Sequence, residues 1–291
     1  MSGSLLISAL IFPSAATMGH LDLAPALDPI ASRLEAVRQS ASAPAGSAQD
    51  NAELAKKLSN PIASLISVPF QFNWDEKYGT DDRGERLQLN FQPVIPFALG
   101  DEWNLISRTI VPFIDQDDVV GNESQSGVGD ITQSFFFSPT EPVGGGWIVG
   151  AGPVFTLPTA SEDELGTEKW GIGPTAVFLK QQSGWTYGGL VNHVWSFAGE
   201  DDRADVNATF LQPFLSHTNA SAWTFGTNLE STYDWTRSDW TIPANFFVSK
   251  LTRVGKLPIS FSFGLRYWLE SPEAGPEGLG FRFVVTPLFP K

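Results

Sequence analysis

From Trp223 to Trp235 the side chains alternate without a break. Trp223, Phe225, Thr227, Leu229, Ser231, Tyr233 and Trp235 share one parity; Thr224, Gly226, Asn228, Glu230, Thr232 and Asp234 share the other. Only an extended strand, whose successive side chains point to opposite faces, sorts such a sequence into a greasy face and a polar one. The same period of two recurs over residues 68–74, 86–97, 103–114, 128–138, 147–157, 170–179, 185–197, 206–216, 240–250, 259–269 and 279–289. With 223–235 these make twelve stretches. Most approach the roughly 9–11 residues of a tilted membrane-spanning strand rather than the about 5–6 of a globular one. Trp74, Trp103, Trp147, Trp170, Trp185, Trp223, Trp235 and Trp240 gather at their ends. An aromatic girdle at each water–lipid boundary puts Trp there, whereas a soluble sandwich buries its aromatics in mid-strand.

The connections carry a second pattern. Numbered in order, the odd ones (75–85, 115–127, 158–169, 199–205, 236–239 and 270–278) are mostly long and hold about two-thirds of the chain's 32 Asp and Glu. The even ones (98–102, 140–146, 180–184, 217–221 and 252–256) are mostly shorter and hold three acids, Asp101, Glu102 and Glu141. Long outer loops and short inner turns are the pattern of a bacterial outer-membrane barrel with both ends in the periplasm. A sandwich has no reason to sort loop charge by parity. The expected fold is therefore all-β: a transmembrane antiparallel up-and-down barrel of about twelve strands, with a short helical or disordered N-terminal segment. A soluble lipocalin-like or sandwich fold is the alternative.

Composition agrees. The chain has 22 Phe and ten Trp but only 17% charged residues, and no apolar run long enough for a membrane helix. It has no Cys, so it forms neither disulfides nor thiolate metal sites. A net charge of −14 excludes nucleic acid as a partner, because nothing would neutralise phosphates. Residues 1–19, with an apolar run followed by Ser14, Ala15 and Ala16, read as an atypical export signal: the first basic residue is Arg33. Residues 20–60 lack aromatics and hold two weakly amphipathic stretches, 29–38 and 49–59; they read as a periplasmic linker or short helix, a possible plug. Residues 61–291 form the barrel.

Energetics decide which parity faces lipid. An Arg or Lys at the bilayer midplane costs about 2–4 kcal/mol, so Arg86, Glu230, Arg266 and Arg282 must point inward. Their neighbours Gln88, Asn90 and Asn228 follow, which makes these residues candidates for lining a pore. Arg108 joins them, although Ile106 and Ile110 share its parity, and Asp130 lies nearer a strand end, in the lumen or at its rim. Such charges either set a field that selects ions and solutes or pair and fill the lumen.

The hairpin 147–179 carries Gly-x-Gly-Pro in both arms, at Gly150-Ala151-Gly152-Pro153 and Gly171-Ile172-Gly173-Pro174. These lie inside strands, not before a helix, so they are no phosphate cradle. They mark places that leave room in the lumen or for another backbone. The intervening loop, 158–169, becomes a lid or solute-selecting element. His193 has Val191 and Trp195 at the two-residue spacing where an outer-membrane lipase would place Ser, and it shares parity with Trp185, Tyr187 and Trp195. An interfacial role is expected, and no catalytic residue, cofactor or metal site is assigned. The acidic loops suit solvated charge or divalent bridges to lipopolysaccharide better than a dedicated Ca²⁺ site.

Asn60-Pro61-Ile62-Ala63-Ser64-Leu65-Ile66-Ser67-Val68-Pro69-Phe70-Gln71, Gln92-Pro93-Val94-Ile95-Pro96 and Trp103-Asn104-Leu105-Ile106-Ser107-Arg108 together resemble a bacterial family. Gly129-Asp130-Ile131, the run 150–158, Glu164-Leu165-Gly166, Lys169-Trp170-Gly171 and the run 192–199 extend the resemblance over residues 50–291. The family is that of outer-membrane transporters associated with the meta-cleavage pathway of phenol degradation. The resemblance implies an outer-membrane barrel admitting small, often aromatic, compounds. The expected function is passive uptake of small solutes, hydrophobic or aromatic compounds among them, with membrane lipid, lipopolysaccharide and the barrel-assembly machinery as partners. A structural or adhesive barrel with a closed lumen is the alternative, an outer-membrane hydrolase a more distant one.

Overall fold

The structure, a computed structural model, describes residues 45–289. The segment read as an export signal and most of residues 20–60 lie outside the described residues. One helix comes first, α1 (Ala45–Leu58). Sixteen strand segments follow: β1 (Ile66–Ser67), β2 (Phe70–Tyr78), β3 (Gly84–Phe91), β4 (Val94–Leu99), β5 (Trp103–Asp117), β6 (Ser124–Val128), β7 (Ile131–Pro139), β8 (Trp147–Leu157), β9 (Lys169–Gln182), β10 (Trp185–Gly199), β11 (Asn207–Thr218), β12 (Trp223–Leu229), β13 (Ser231–Asp234), β14 (Asp239–Val254), β15 (Leu257–Glu270) and β16 (Leu279–Phe289).

The pairs β1/β2, β3/β4, β6/β7 and β12/β13 are each one barrel strand in two pieces, so the barrel has twelve strands. Its neighbours are antiparallel throughout, and β16 closes it by pairing with β2 (Phe283 opposite Phe72) and β1 (Leu288 opposite Ser67). Two of the breaks sit at Pro69 and Pro93, which have no N–H to give the ladder. Register survives the second: Phe91 faces Val111 before it and Val94 faces Arg108 after it. All twelve stretches of period two fall on barrel strands.

Outside, Phe72, Phe97, Phe113, Phe137, Phe178, Phe225, Phe246, Phe263 and Phe283 are all exposed, together with many Leu. Water would not tolerate so wide an apolar belt. Trp103, Trp185 and Trp223 stand exposed at the ends bearing short turns; Trp170, Trp195, Trp235 and Trp240 stand exposed toward the long loops. At the second girdle Thr209 satisfies two rings at once, accepting from Trp235 Nε1 at 2.9 Å and bonding His193 Nδ1 at 2.8 Å. His193 is thus a girdle residue on the outer face.

The short turns are tight. Ser183 and Gly184, at φ 50° and 83°, form the two-residue loop between Gln182 and Trp185, the backbone of a primed hairpin turn. A Cβ at Gly184 would also meet the Thr218 carbonyl oxygen at 2.7 Å.

The glycines of the 147–179 hairpin leave no empty lumen. Side chains at Gly152 and Gly173 would collide with the carbonyls of Phe135 and His193 on adjacent strands, and one at Gly150 would press on Ile62 Cδ1 at 3.0 Å. They allow neighbouring backbone and Ile62 to approach closely.

Residues 45–58 are helical because Ala, Glu, Leu and Lys dominate them, with Lys56 and Lys57 in the last turn, where the dipole favours cations. The helix stops at Ser59-Asn60-Pro61: Asn60 Oδ1 accepts from Ile62 N at 3.0 Å, turning the chain toward β1. The second of the two amphipathic stretches in the sequence falls on α1, and the first lies outside the described residues. Leu54 and Ala55 bury themselves with Leu65 against Ala222, Leu251 and Leu288, at the short-turn end of the barrel. Gln181 Nε2 donates to Lys56 O at 2.7 Å, and Arg253 Nε to Asn51 Oδ1 at 2.9 Å. The helix is thereby bonded to the turns at that end.

Candidate functional site in the barrel lumen

The lumen is divided along its length. Against β5, β7, β9 and β10 it is filled: Ile62, Ile106, Phe136, Val177, Leu179 and Leu190 form one buried apolar cluster. Ile62 comes from the segment between α1 and β1 and inserts into the barrel. This explains why Ile106 shares the inward parity of Arg108, since that side of the lumen is packed and dry.

The opposite wall, β2, β3 and β12 to β16, is polar. Arg282 grips Glu230 with both terminal nitrogens at 2.8 Å and donates its Nε to Asn73 Oδ1 at 2.7 Å. A bidentate pair of this kind is directional as well as strong. Nearer the long loops, Arg266 Nη1 donates to Asp75 Oδ2 at 2.8 Å, while Trp268 Nε1 donates to Asp75 Oδ1 at 3.1 Å. The Arg266 guanidinium also lies 4.8 Å from the centre of the Trp268 ring. Arg86 donates to Gln116 Oε1 at 2.8 Å and stacks 4.7 Å over the Tyr78 ring. Gln116 then passes the chain on to Gln125 Oε1 at 2.8 Å. Gln88 bonds Asn90 at 2.7 Å, and Asn245 bonds Asn228 at 2.8 Å.

The structure thus brings Arg282, Glu230 and Arg108 together in mid-barrel and Arg266 and Arg86 nearer the mouth, with Gln88, Asn90 and Asn228 on the intervening inward positions. Asp130 stands apart from them. It lies in the break between β6 and β7, and its carboxylate accepts from the backbone N–H groups of Thr159, Ala160 and Thr167 and from the Thr167 hydroxyl. It anchors the loop that follows β8. Arg203 holds the same loop from the other side, donating to Asp163 O at 2.7 Å and Gly166 O at 2.6 Å and pairing with Glu168 at 3.1 Å. Leu165 is buried, and the loop lies on Gly127 and Gly129, where a Cβ would strike Ser161 or Leu165. Gly127 faces Ile114 across the ladder, so the loop is folded onto the lumen side of the mouth. With Asp130→Ala the loop loses a side chain that accepts four bonds, and proteolytic cleavage within 158–168 should quicken roughly tenfold or more. An unchanged rate, measured by mass spectrometry of timed digests, would show that Asp130 is not the anchor.

Asp75, Trp268, Gln92 and Gln212 belong to the same lumen and were not among the pore-lining candidates. Asp75 carried the signal: it continues the inward parity of Gln71 and Asn73 along β2, although it reads as the first residue of an acidic loop.

Between the mid-barrel charges and α1 lies a chamber of about 290 Å³. Its short-turn end is lined by Ala55, Leu58, Ser59 and Pro61, and its walls by Arg108, Gln212, Phe214, Asn228, Phe247, Ser262, Arg282 and Val284 among others. Amides, hydroxyls and the two guanidiniums share its lining with apolar side chains, and the closed wall around it carries the apolar belt on its outer surface. The chain is a transmembrane β-barrel of twelve antiparallel strands.

No family model and no curated protein matches the sequence. Solved structures do. The crystal structure of the COG4313 outer membrane channel from Pseudomonas putida F1 superposes with a TM-score of 0.63 at 16% identity, covering 78% of this chain and 96% of that one. The NanC porin matches at a TM-score of 0.49 and 8% identity, covering 78% of this chain and 100% of that one. At such identities the first likeness speaks to the fold.

Proposed function

We propose that the barrel is an outer-membrane channel for passive uptake of small solutes, hydrophobic or aromatic compounds among them. The observation that carries the reading is the mid-lumen chamber, large enough for one ring and lined by Phe214, Phe247 and Val284 as well as by amides and hydroxyls. Ligand sites of about 300–1,000 Å³ combine an apolar surface with a few placed polar groups in the same way. The shared fold with a protein named as an outer membrane channel supports it, and so does the resemblance to the phenol meta-pathway transporters. In this reading α1 and its flanking residues, the 20–60 segment of the sequence, form a periplasmic floor, the loop 158–168 a selecting element at the mouth, and residues 1–19 an export signal. The acidic loops meet lipopolysaccharide, and the barrel-assembly machinery inserts the chain.

A closed structural barrel is the second reading, favoured by the insertion of Ile62 and by the position of α1. Swelling of proteoliposomes in a size series of neutral solutes separates the two. A channel of this bore should admit glycerol and single-ring alcohols and retard disaccharides. Protein-free swelling rates for every solute would remove the channel.

A further inference from the structure

The two guanidiniums lining the chamber are not equivalent. Arg282 is committed, with both terminal nitrogens on the two oxygens of Glu230. Arg108 is not. Its hydrogen bond within the lumen runs to a neutral acceptor, Gln92 Oε1, at 3.2 Å, and among the described residues no carboxylate pairs with it. Glu230 feels Arg108 electrostatically, but its oxygens are already taken. One carboxylate therefore serves two arginines, and the chamber holds an excess positive charge in a chain whose net charge is −14.

Removing a cation from water without a counter-charge is costly, and an entering anion offsets that cost. Further cations stand on either side of the chamber. Toward the mouth, Arg86 bonds a neutral amide, Gln116, beside the paired Arg266 and Asp75. Toward the periplasmic end a smaller cavity of about 140 Å³ adjoins the chamber, with Arg108 on the wall of both and the exposed Lys57 at its edge. On strands across the barrel from Arg108 the chamber presents Phe214 and Phe247, which suit an apolar body rather than a hydrated sugar.

We infer that the chamber is a binding site for a small organic monoanion, a carboxylate on a single-ring or comparably short apolar body, with Arg108 as the residue that takes the carboxylate. The assignment rests on the channel reading for its purpose but not for its geometry: Arg108 and Gln92 grip the charged end, and the Phe214–Phe247 side receives the rest. Its volume excludes chains much larger than one ring.

The test uses the full chain, refolded in detergent, with benzoate, benzyl alcohol and benzylamine as probes of one shape and three charges. Calorimetric titration should show benzoate binding at least tenfold more tightly than benzyl alcohol, with benzylamine weakest. Arg108→Met should cost benzoate roughly tenfold or more, the effect of losing a charge-assisted bond, and leave benzyl alcohol unchanged. Arg108→Lys should restore part of the loss, which a purely structural role for Arg108 would not allow. Equal affinities for benzoate and benzyl alcohol, or an Arg108→Met variant that binds benzoate as before, overturn the assignment. The same proteins in liposomes keep the two claims apart. Swelling without charge preference, insensitive to Arg108, leaves the channel standing and removes the anion site. Arg108-dependent benzoate binding without flux of any solute does the reverse.

Discussion

Protein refolded without residues 1–60 is expected to pass small solutes several-fold faster than the full chain, because the chamber then opens to the periplasmic end. Leu58, Ser59 and Pro61 line that end, and α1 is tied down by the Leu54, Ala55 and Leu65 cluster and by bonds from Gln181 and Arg253. The truncated barrel should also be less stable. Two leucines lose their burial, each worth about 1.5–3 kcal/mol when complete, but the twelve-strand ladder remains intact. A milder variant guards against misfolding: Leu54→Glu puts a charge into the apolar seat and should loosen the helix while leaving every strand in place. Flux unchanged in both proteins would mean that solutes already pass α1, and that it is not a floor.

Glu230→Leu is the substitution with the largest expected cost in stability. Arg282 and Arg108 would then share the mid-barrel with no carboxylate between them. Breaking a buried pair by removing one partner costs roughly 3–5 kcal/mol, mostly because the surviving charge stays buried. Adding Arg282→Met to Glu230→Leu should recover most of the loss, since the remaining pocket is neutral apart from Arg108. Urea unfolding of the refolded proteins in lipid vesicles, followed by tryptophan fluorescence, measures both effects. A single variant within about 1 kcal/mol of the parent, or a double variant no better than the single, would contradict a committed Glu230–Arg282 pair.

Most of the wall could be read in advance, since a period of two reports which face a side chain occupies, and the cost of charge in lipid then assigns the faces. Arg86, Glu230, Arg266 and Arg282 are inward for that reason alone. What alternation cannot report is which inward residue meets which across the barrel. Asp75 lies on an inward position of β2, far from β15 in the chain, and only closure through β16 puts it beside Arg266 and Trp268. Nor does polarity on the inward face hold everywhere. Ile106 and Phe136 point inward because Ile62, contributed by a segment outside the strands, fills that side and makes it dry. The prolines at 69 and 93 fit the alternation yet split their strands, because period is a property of side chains and the ladder a property of N–H groups. Asp130 has the parity of a strand residue but spends its carboxylate on a loop that folds back from about 30 residues further along the chain.

Flux through the full chain in proteoliposomes decides whether solutes cross this barrel through the mid-lumen chamber. Swelling in glycerol and in single-ring alcohols should exceed the protein-free rate and slow when a bulky side chain such as Trp replaces Ser262 on the chamber wall. Swelling at the protein-free rate from both the full chain and the chain lacking residues 1–60 would contradict such passage.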